Sequence, residues 1–409
     1  MTHLARITCP YVPDKLSFVN RPSRIVPPDG TRFVLAHEAQ LKTTVISQLQ
    51  ALYKNWGYQA VDVPSLEHYD SDHPRAHQSF KFADRDAQVL SLRSDFTPSV
   101  SQLVLANYGD SDLPLRLQYC GNVWQSLSSD ISGVREFTQI GLELVGISNA
   151  RADAELIHLA RESIRTVGLA PRVELGNPSL VKVLFDLADI AEDQRDVLAD
   201  SIDRKDQRSL ETLLNALELS PDLHKALLSI PDLYGDIHIL KDAHQLAPWP
   251  ETKRELDRLD EILSEFEDSS ELLLDLGMAR RLSYYTGMTF RAYTPDFGQP
   301  LVGGGRYDGA LLPHAAGFTI GLERLLRASP NAQLAQQPLV VSLDDVPARI
   351  LRRAGYSVER SLFVDEAQTR VYAKTKRIPF LLTERGLEPL QQNHVLYADL
   401  LALLSEGYA

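Results

Sequence analysis

The chain has 409 residues and a formal net charge of −13, from 42 basic and 55 acidic side chains. This length allows about two or three domains with ordinary hydrophobic cores. Binding of a polyanion is driven largely by Lys and Arg side chains that displace condensed counterions, and the sequence contains no dense Lys/Arg block. Composition and charge therefore argue against a protein that binds nucleic acid over a broad basic surface.

The two cysteines, Cys9 and Cys120, are far apart and form no C-x-x-C arrangement. This excludes a thiolate zinc site and suits a reducing compartment. A run of about 18 apolar residues, which a membrane span needs, is absent, and residues 1–16 lack the apolar stretch of a signal peptide. We expect a soluble, cytoplasmic protein that binds no metal, requires no cofactor and contacts no membrane.

The first predicted elements are a helix, a strand and a hairpin. Apolar residues recur every three or four positions over 35–56, which predicts an amphipathic helix, and Gly57 is a natural stop. Residues 58–64 alternate as a strand that ends at a proline, and residues 80–92 predict a hairpin.

Another helix begins near Asp95 or Thr97, since both are candidate caps and proline follows in the first turn. Strands are predicted on either side of Gly121 and over 137–145, and a helix over 152–167.

The sequence from 177 to about 267 is Leu-rich, acidic and poor in strand formers, which predicts a helical subdomain. Strand patterns resume at 272–277, 284–293 and 317–321, and a helix follows the last of them. We therefore expect an α+β fold. Its predicted parts are a core of residues 1–176 and 270–330, a helical insertion at 177–269 and a small C-terminal α/β domain at 338–409.

Four motifs occur in a fixed order along this core. Together they resemble histidyl-tRNA synthetase, a class II aminoacyl-tRNA synthetase, over about residues 20–330. The resemblance implies an antiparallel sheet flanked by helices and a dimer. The motifs are LRSDFTP at 92–98, the paired segments 117–127 and 135–143, ARRLSYYTG at 279–287, and GGGRYDG at 303–309 leading into GFTIGLERL at 317–325.

The resemblance also implies a pocket for free histidine. Acidic and hydroxyl groups suit the ammonium, and one acceptor and one donor suit the imidazole. The family's amino-group ligands match Asp95, Thr97 and Gln139; its imidazole ligands match Glu143 and either Tyr285 or Tyr307; an arginine for the carboxylate matches Arg280. The predicted histidine-binding residues are Asp95, Thr97, Gln139, Glu143, Arg280, Tyr284, Tyr285 and Tyr307.

Each of these residues also has an ordinary structural interpretation. Taken alone, Asp95 is more often a helix cap, and Tyr284 and Tyr285 lie in a β-rich stretch where aromatic residues usually pack. Glu143 is harder to explain in that way, because a carboxylate inside the apolar strand 140–146 is costly to bury without a partner. The ordered set of motifs outweighs the structural interpretation of any single position.

The residues that would catalyse adenylation differ from the family pattern. Gln125 and Leu127 stand where the synthetases carry an arginine and a glutamate, and the loop 126–134 contains no Lys or Arg. Arginine stabilises a phosphate with permanently charged, bidentate donors, and neutral glutamine cannot replace it. Arg135 and Arg324, which match family arginines around ATP, are retained. We predict that productive adenylation is lost and that the chain has no catalytic residues.

One branch of the family combines the three features expected of this chain: a retained histidine pocket, an ATP site that no longer supports adenylation, and a reduced C-terminal tail. This branch is the regulatory subunit of ATP phosphoribosyltransferase, the first enzyme of histidine biosynthesis. The resemblance implies a short-form catalytic subunit as partner, histidine as allosteric effector, and a homodimer within a larger hetero-oligomer, with no tRNA bound. The alternatives are a divergent histidyl-tRNA synthetase and a histidine-binding module for another partner.

Overall fold

The structure is a computed structural model that describes residues 26–406 except 72, 74, 127–133, 280–284, 330–338 and 392–395. It separates into two compact units, Met1–Ala332 and Gln333–Ala409. None of the helices in the described part of the chain has the length and apolar character that a membrane span requires.

The first unit contains the following elements. Its helices are α1 (Ala36–Asn55), α2 (Phe96–Asn107), α3 (Ala150–Thr166), α4 (Pro178–Leu187), α5 (Glu192–Asp203), α6 (Gln207–Asn215), α7 (Pro221–Ser229), α8 (Ile239–Leu246), α9 (Pro250–Ser264) and α10 (Leu322–Ala328). Its strands are β1 (Gln59–Ala60), β2 (Leu66–His68), β3 (Lys81–Ala83), β4 (Val89–Leu92), β5 (Leu115–Trp124), β6 (Glu136–Val145), β7 (Arg172–Gly176), β8 (Tyr234–Gly235), β9 (Leu272–Asp275), β10 (Thr289–Thr294), β11 (Phe297–Arg306) and β12 (Ala315–Gly321).

A nine-stranded sheet organises this unit, in the order β1-β5-β6-β12-β11-β10-β7-β9-β8. The run from β5 to β7 is antiparallel throughout. The pairs β1·β5 and β7·β9 are parallel, which makes the whole sheet mixed. The α+β class predicted from the sequence is thus present, with an antiparallel centre.

One face of the sheet forms the main hydrophobic core. On β6, Ile140, Leu142 and Leu144 are buried on this face, and they belong to one apolar cluster with residues of α1 and α3. Within this cluster, the hydroxyls of Tyr53 on α1 and Ser163 on α3 form a hydrogen bond of 2.9 Å. Because side chains alternate along a strand, this packing directs the intervening β6 residues to the other face.

Six helices, α4 to α9, occupy the segment for which the sequence predicted a helical subdomain. Asn177 caps α4 by accepting from the Ser179 N–H at 3.1 Å, and its amide donates to Glu255 of α9 at 2.8 Å. This segment also contributes one strand: β8 pairs antiparallel with β9 and so lies in the main sheet. The sequence analysis did not foresee that strand.

A buried ionic network lies beside the sheet. Asp153 of α3 is fully buried, and its two oxygens accept from Arg306 at 2.6 Å and from Arg258 of α9 at 2.8 Å. Arg306 also donates to Asp308 at 2.8 Å. A buried carboxylate needs such partners, since removal of one leaves an uncompensated charge. The network holds the end of β11 against α3 and α9.

A second, three-stranded sheet, β2-β4-β3, precedes α2. Its β3–β4 hairpin turns at Asp84, whose carboxylate accepts from the Gln88 N–H at 3.0 Å, and Ala87 has a positive φ of 60°. The hairpin predicted for residues 80–92 is therefore present. The strand predicted over 58–64 is shorter, because only Gln59–Ala60 pairs with β5.

The second unit is a small α/β domain with strand order β14-β13-β15-β16. The first three of these strands run parallel to one another, and β16 is antiparallel to β15. Its elements are β13 (Val340–Ser342), α11 (Asp345–Arg353), β14 (Val358–Arg360), α12 (Glu366–Lys376), β15 (Phe380–Thr383), β16 (Gly386–Pro389) and α13 (Tyr397–Glu406).

Candidate ligand-binding site

The face of the nine-stranded sheet opposite the main core carries polar side chains and glycines. On β6, Gln139, Gly141 and Glu143 alternate with the core residues. Directly opposed residues of antiparallel strands share a face, and the register sets partners from β5 and β12 beside these three. The partners are Leu117, Tyr119, Gly121, Gly317, Thr319 and Gly321.

The glycines of this polar face leave room for larger side chains. A Cβ at Gly317 would collide with the Glu143 carboxylate, and a Cβ at Gly141 would collide with the Tyr119 hydroxyl. By contrast, a Cβ at Gly303 of β11 would meet no described residue within 4 Å. Among the described residues, the sheet therefore has an open floor beside a row of closely fitted polar groups, which is a suitable shape for a small ligand.

Glu143 lies at the centre of the polar face, with 1% of its surface exposed. Its two carboxylate oxygens accept from the Tyr307 hydroxyl at 2.6 Å and from the Thr97 hydroxyl at 2.8 Å. Burial raises the pKa of the Glu143 carboxyl to about 8, although these two hydrogen bonds act in the opposite direction. At neutral pH the group is thus largely protonated, and it offers both an O–H donor and acceptor oxygens.

Asp95 supplies a second acidic group to the same region. It is buried, it caps α2 by accepting from the Thr97 N–H at 3.5 Å, and its negative charge acts on the carboxyl of Glu143. Its counter-ion is Arg75, whose Nε lies 3.3 Å from Asp95 Oδ2. Asp95 is therefore both the cap of α2 and the ion-pair partner of Arg75 at the polar face.

Gln139 is buried, with 4% of its surface exposed. Its side-chain oxygen has no hydrogen-bond partner within the described parts of the chain. Buried polar atoms in folded proteins are nearly always hydrogen-bonded. The Gln139 oxygen is hence an acceptor suited to a ligand donor.

Two aromatic residues complete the described part of the site. Tyr307, just after β11, is buried and is held by a hydrogen bond from its N–H to the Ala315 carbonyl at 2.9 Å. The ring of Tyr285 lies 3.0 Å from the position that a Cβ would take at Gly305. The Tyr307 hydroxyl donates to Glu143 at 2.6 Å, and the Tyr119 hydroxyl also acts to lower the pKa of that carboxyl.

The structure thus brings six of the eight predicted histidine-binding residues to one face of the sheet or to its edge. Arg280 and Tyr284, the other two, lie outside the described residues. The six are Asp95, Thr97, Gln139, Glu143, Tyr285 and Tyr307.

Gln125, where the resemblance to the synthetases implies an arginine, directly follows β5. It is 3% exposed, and its N–H donates to the Arg135 carbonyl at 2.8 Å. The Arg135 guanidinium lies over the Phe80 ring at 4.5 Å, and Arg324 donates to the Pro300 carbonyl at 2.9 Å. Leu127 lies outside the described residues.

Sequence reasoning missed Tyr119 and Arg75. The two-residue alternation on β5 could have indicated Tyr119, because Leu117, Tyr119 and Gly121 form one face of that strand. No sequence pattern indicates Arg75, since it precedes a short 3-10 turn, Ala76–Gln78, and meets Asp95 only in the folded chain.

Comparison with known proteins gives consistent results. The profile of the histidyl-tRNA synthetase family matches residues 30–325. A protein of Thermus thermophilus named ATP phosphoribosyltransferase regulatory subunit is 42% identical over 355 residues, which cover 87% of this chain and 96% of that protein. A protein of Deinococcus radiodurans with the same name is 38% identical, over 91% of each chain.

Solved structures agree on the fold. A Bacillus halodurans protein described as an ATP phosphoribosyltransferase regulatory subunit/histidyl-tRNA synthetase superposes with a TM-score of 0.75 at 25% identity, over 89% of this chain and 98% of that one. Histidyl-tRNA synthetase from Nostoc superposes with a TM-score of 0.77 at 19% identity, over 94% of this chain and 99% of the other. The second likeness concerns the fold alone.

The fold and the family match over residues 30–325 define a protein of the class II, histidyl-tRNA synthetase-like type. Its near-complete alignment with the Thermus and Deinococcus proteins is more specific. The chain belongs to the family of ATP phosphoribosyltransferase regulatory subunits.

Proposed function

We propose that the chain is a non-catalytic subunit that binds free histidine on the polar face and passes this signal to an ATP phosphoribosyltransferase catalytic subunit. The observation that carries the proposal is the grouping of Asp95, Thr97, Gln139, Glu143 and Tyr307 around a glycine-lined floor that no other described residue fills.

The ammonium of histidine fits the end of the polar face near α2. The Asp95 carboxylate supplies a counter-charge, and the Gln139 oxygen supplies an acceptor that no described residue satisfies. Hydrogen bonds between charged groups are roughly twice as strong as neutral ones. We assign Asp95, Thr97 and Gln139 to the amino group.

The imidazole fits beside Glu143 and Tyr307. One ring nitrogen of neutral imidazole donates and the other accepts, and the hydrogen-bonded Glu143–Tyr307 pair offers both functions. Removing either function would leave a buried polar atom unpaired, which costs affinity. In the proposed complex, Tyr285 packs beside the imidazole ring and Arg280 binds the carboxylate of histidine.

Adenylation chemistry is not part of the proposal. Activation of an amino acid by ATP requires charge stabilisation on the α-phosphate, and neutral, buried Gln125 stands where the family's arginine would act. We therefore propose that ATP phosphoribosyltransferase activity belongs to the partner.

The relatives' names include the word regulatory, and this supports a catalytic partner. We propose a short-form catalytic subunit that this chain activates and that histidine inhibits through it. Such coupling is a free energy between two sites, typically about 1 to 3 kcal/mol, and it requires two states that histidine distinguishes. We expect the protein to act in the cytoplasm, without tRNA.

A homodimer within the larger hetero-oligomer is also proposed. Leu66 and Phe82 lie on the same face of the small sheet β2-β4-β3, directly opposite Leu92 and Leu90 of β4. They are 53% and 40% exposed. Grouped exposed apolar residues commonly mark a protein interface.

The test is calorimetric titration of the purified chain with L-histidine, followed by an activity assay of a short-form catalytic subunit with and without the chain. We expect histidine binding, activation of the catalytic subunit by the chain, and histidine-dependent inhibition of the mixture. Absence of histidine binding would refute the pocket assignment. Binding without activation would keep the pocket but reject the partner.

A divergent histidyl-tRNA synthetase is the second candidate, because Arg135 and Arg324 are retained. Histidine- and ATP-dependent pyrophosphate exchange by the wild-type chain would establish it. The third candidate is a histidine-binding module for a different partner. Capture of the native complex would distinguish it from the other two candidates, because it identifies the partner.

A further inference from the structure

The counter-ion of Asp95 comes from outside the sequence motifs. Arg75 Nε lies 3.3 Å from Asp95 Oδ2, and the two side chains are 21% and 4% exposed. The carboxylate is therefore almost fully buried, while the cation keeps access to solvent. An ionised carboxylate in such a place is costly without a partner, so in the ligand-free protein Arg75 stabilises Asp95.

The backbone around Arg75 is fixed in place. The Arg75 N–H donates to His73 Nδ1 at 3.0 Å, and the Arg75 carbonyl accepts from the Gln78 N–H at 2.8 Å. The Gln78 carbonyl in turn accepts from the Ser126 N–H at 2.6 Å, just beyond β5. This short turn is thus tied to the chain just beyond β5, and the Arg75 side chain reaches Asp95 from it.

A ligand ammonium at Asp95 would need the same position. Two cations on one carboxylate repel each other, and the gain from the second is smaller than from the first. The exposed part of the Arg75 side chain gives it a path toward solvent, whereas the capping role of Asp95 in α2 keeps the carboxylate fixed. We therefore expect a bound ammonium to displace the Arg75 side chain and to leave Asp95 in place.

We propose that Arg75 is an internal counter-ion that the α-ammonium of the effector replaces at Asp95. Arg75 thereby sets the affinity for the effector and selects ligands that carry a protonated amino group. The inference rests on the proposed histidine site. A ligand that lacks the amino group cannot take over the charge, so it leaves the Arg75–Asp95 pair intact.

The test compares wild type with Arg75→Met, Arg75→Lys and, as a matched control, Arg85→Met at an exposed hairpin turn. Each protein is titrated calorimetrically with L-histidine and with deamino-histidine, 3-(imidazol-4-yl)propionate. We expect Arg75→Met to bind L-histidine at least about fivefold more tightly than wild type. This change in affinity corresponds to the free energy of one partly buried ion pair. Its affinity for the deamino compound should stay at the wild-type value.

Thermal unfolding provides a second measurement. Arg75→Met should melt below wild type without ligand, because Asp95 loses its counter-ion, and saturating L-histidine should restore most of the difference. Arg75→Lys keeps a cation and should resemble wild type in both assays, as should Arg85→Met.

Weaker binding of L-histidine by Arg75→Met would overturn the proposal, since Arg75 would then contact the ligand. An equal change for both ligands would also overturn it, because that result indicates only a general structural effect. Failure of wild type itself to bind L-histidine refutes the histidine site instead. The two failures are thus distinguishable.

Discussion

The Tyr307 hydroxyl donates to Glu143 at 2.6 Å across 164 residues of sequence. Glu143 lies on β6 and Tyr307 just after β11, and β12 separates the two strands in the sheet. Gly317 on β12 makes the contact possible, because any side chain there would fill the space of the Glu143 carboxylate. The candidate site therefore depends on a glycine that contributes no polar atom.

Replacement of Glu143 tests the proposed imidazole contact. Glu143→Ala should abolish L-histidine binding, and Glu143→Gln should weaken it by about tenfold or more, since a buried partner is left unsatisfied. Calorimetry measures the affinity, and circular dichroism checks that each variant is folded. A folded Glu143→Ala variant with wild-type affinity would remove Glu143 from the pocket.

The raised pKa of Glu143 predicts a specific dependence of stability on pH. The folded-state pKa is about 8 against an ordinary value of 4.5, so the native protein holds a proton that the unfolded chain releases. This contribution is fully present below about pH 4.5 and is lost as the pH rises toward 8, by at most about 1.4 kcal/mol per pH unit.

The free energy of unfolding of wild type minus that of Glu143→Gln isolates this contribution, because glutamine does not titrate. We expect the difference, from urea unfolding between pH 5 and 8, to decrease as the pH rises. A difference that is constant or increases with pH would contradict a raised pKa.

Two glycines of the polar face should respond differently to alanine. Gly317→Ala should destabilise the fold by about 1 to 3 kcal/mol, the usual cost of overpacking, because its Cβ would meet both Glu143 and the Leu142 carbonyl. Gly303→Ala is the matched control, since in the described parts of the chain its Cβ has no neighbour within 4 Å. Chemical denaturation measures both, and equal losses would argue against close packing over Gly317.

Restoring one arginine should not restore adenylation. Gln125→Arg should show no histidine-dependent pyrophosphate exchange above wild type, because Leu127 and the loop 126–134, which has no Lys or Arg, remain unchanged. A true histidyl-tRNA synthetase provides the positive control. Pyrophosphate exchange by Gln125→Arg would show that the other residues needed for adenylation are still functional.

The buried network around Asp153 should matter for stability. Asp153→Ala leaves Arg306 and Arg258 without their shared carboxylate, and breaking such a buried pair costs about 3 to 5 kcal/mol. Arg85→Ala, in an ion pair whose side chains are 91% and 70% exposed, should change stability by less than about 1 kcal/mol. Similar losses of unfolding free energy in the two variants would contradict the prediction that the buried ion pairs contribute more to stability than the exposed one.

Much of the fold was accessible from local patterns. The helix predicted over 35–56 spans Ala36–Asn55, and the helix predicted over 152–167 spans Ala150–Thr166. These elements have strong periodicity and clear ends, which local physics determines. The strand predicted over 58–64 pairs for only two residues, because pairing depends on where β5 lies and not on the alternation itself.

By itself, the sequence determined the α+β class, the helical segment and the ordered motifs, including Gln125 at the position where the resemblance implies an arginine. Those properties reside in periodicity and residue identity along the chain. Only the tertiary structure decided that Tyr307 is the tyrosine on Glu143, that Tyr119 lies over Gly141, and that Arg75 neutralises Asp95. Such contacts depend on strand register and on the burial of each charge, which are set by the whole fold and not by neighbouring residues.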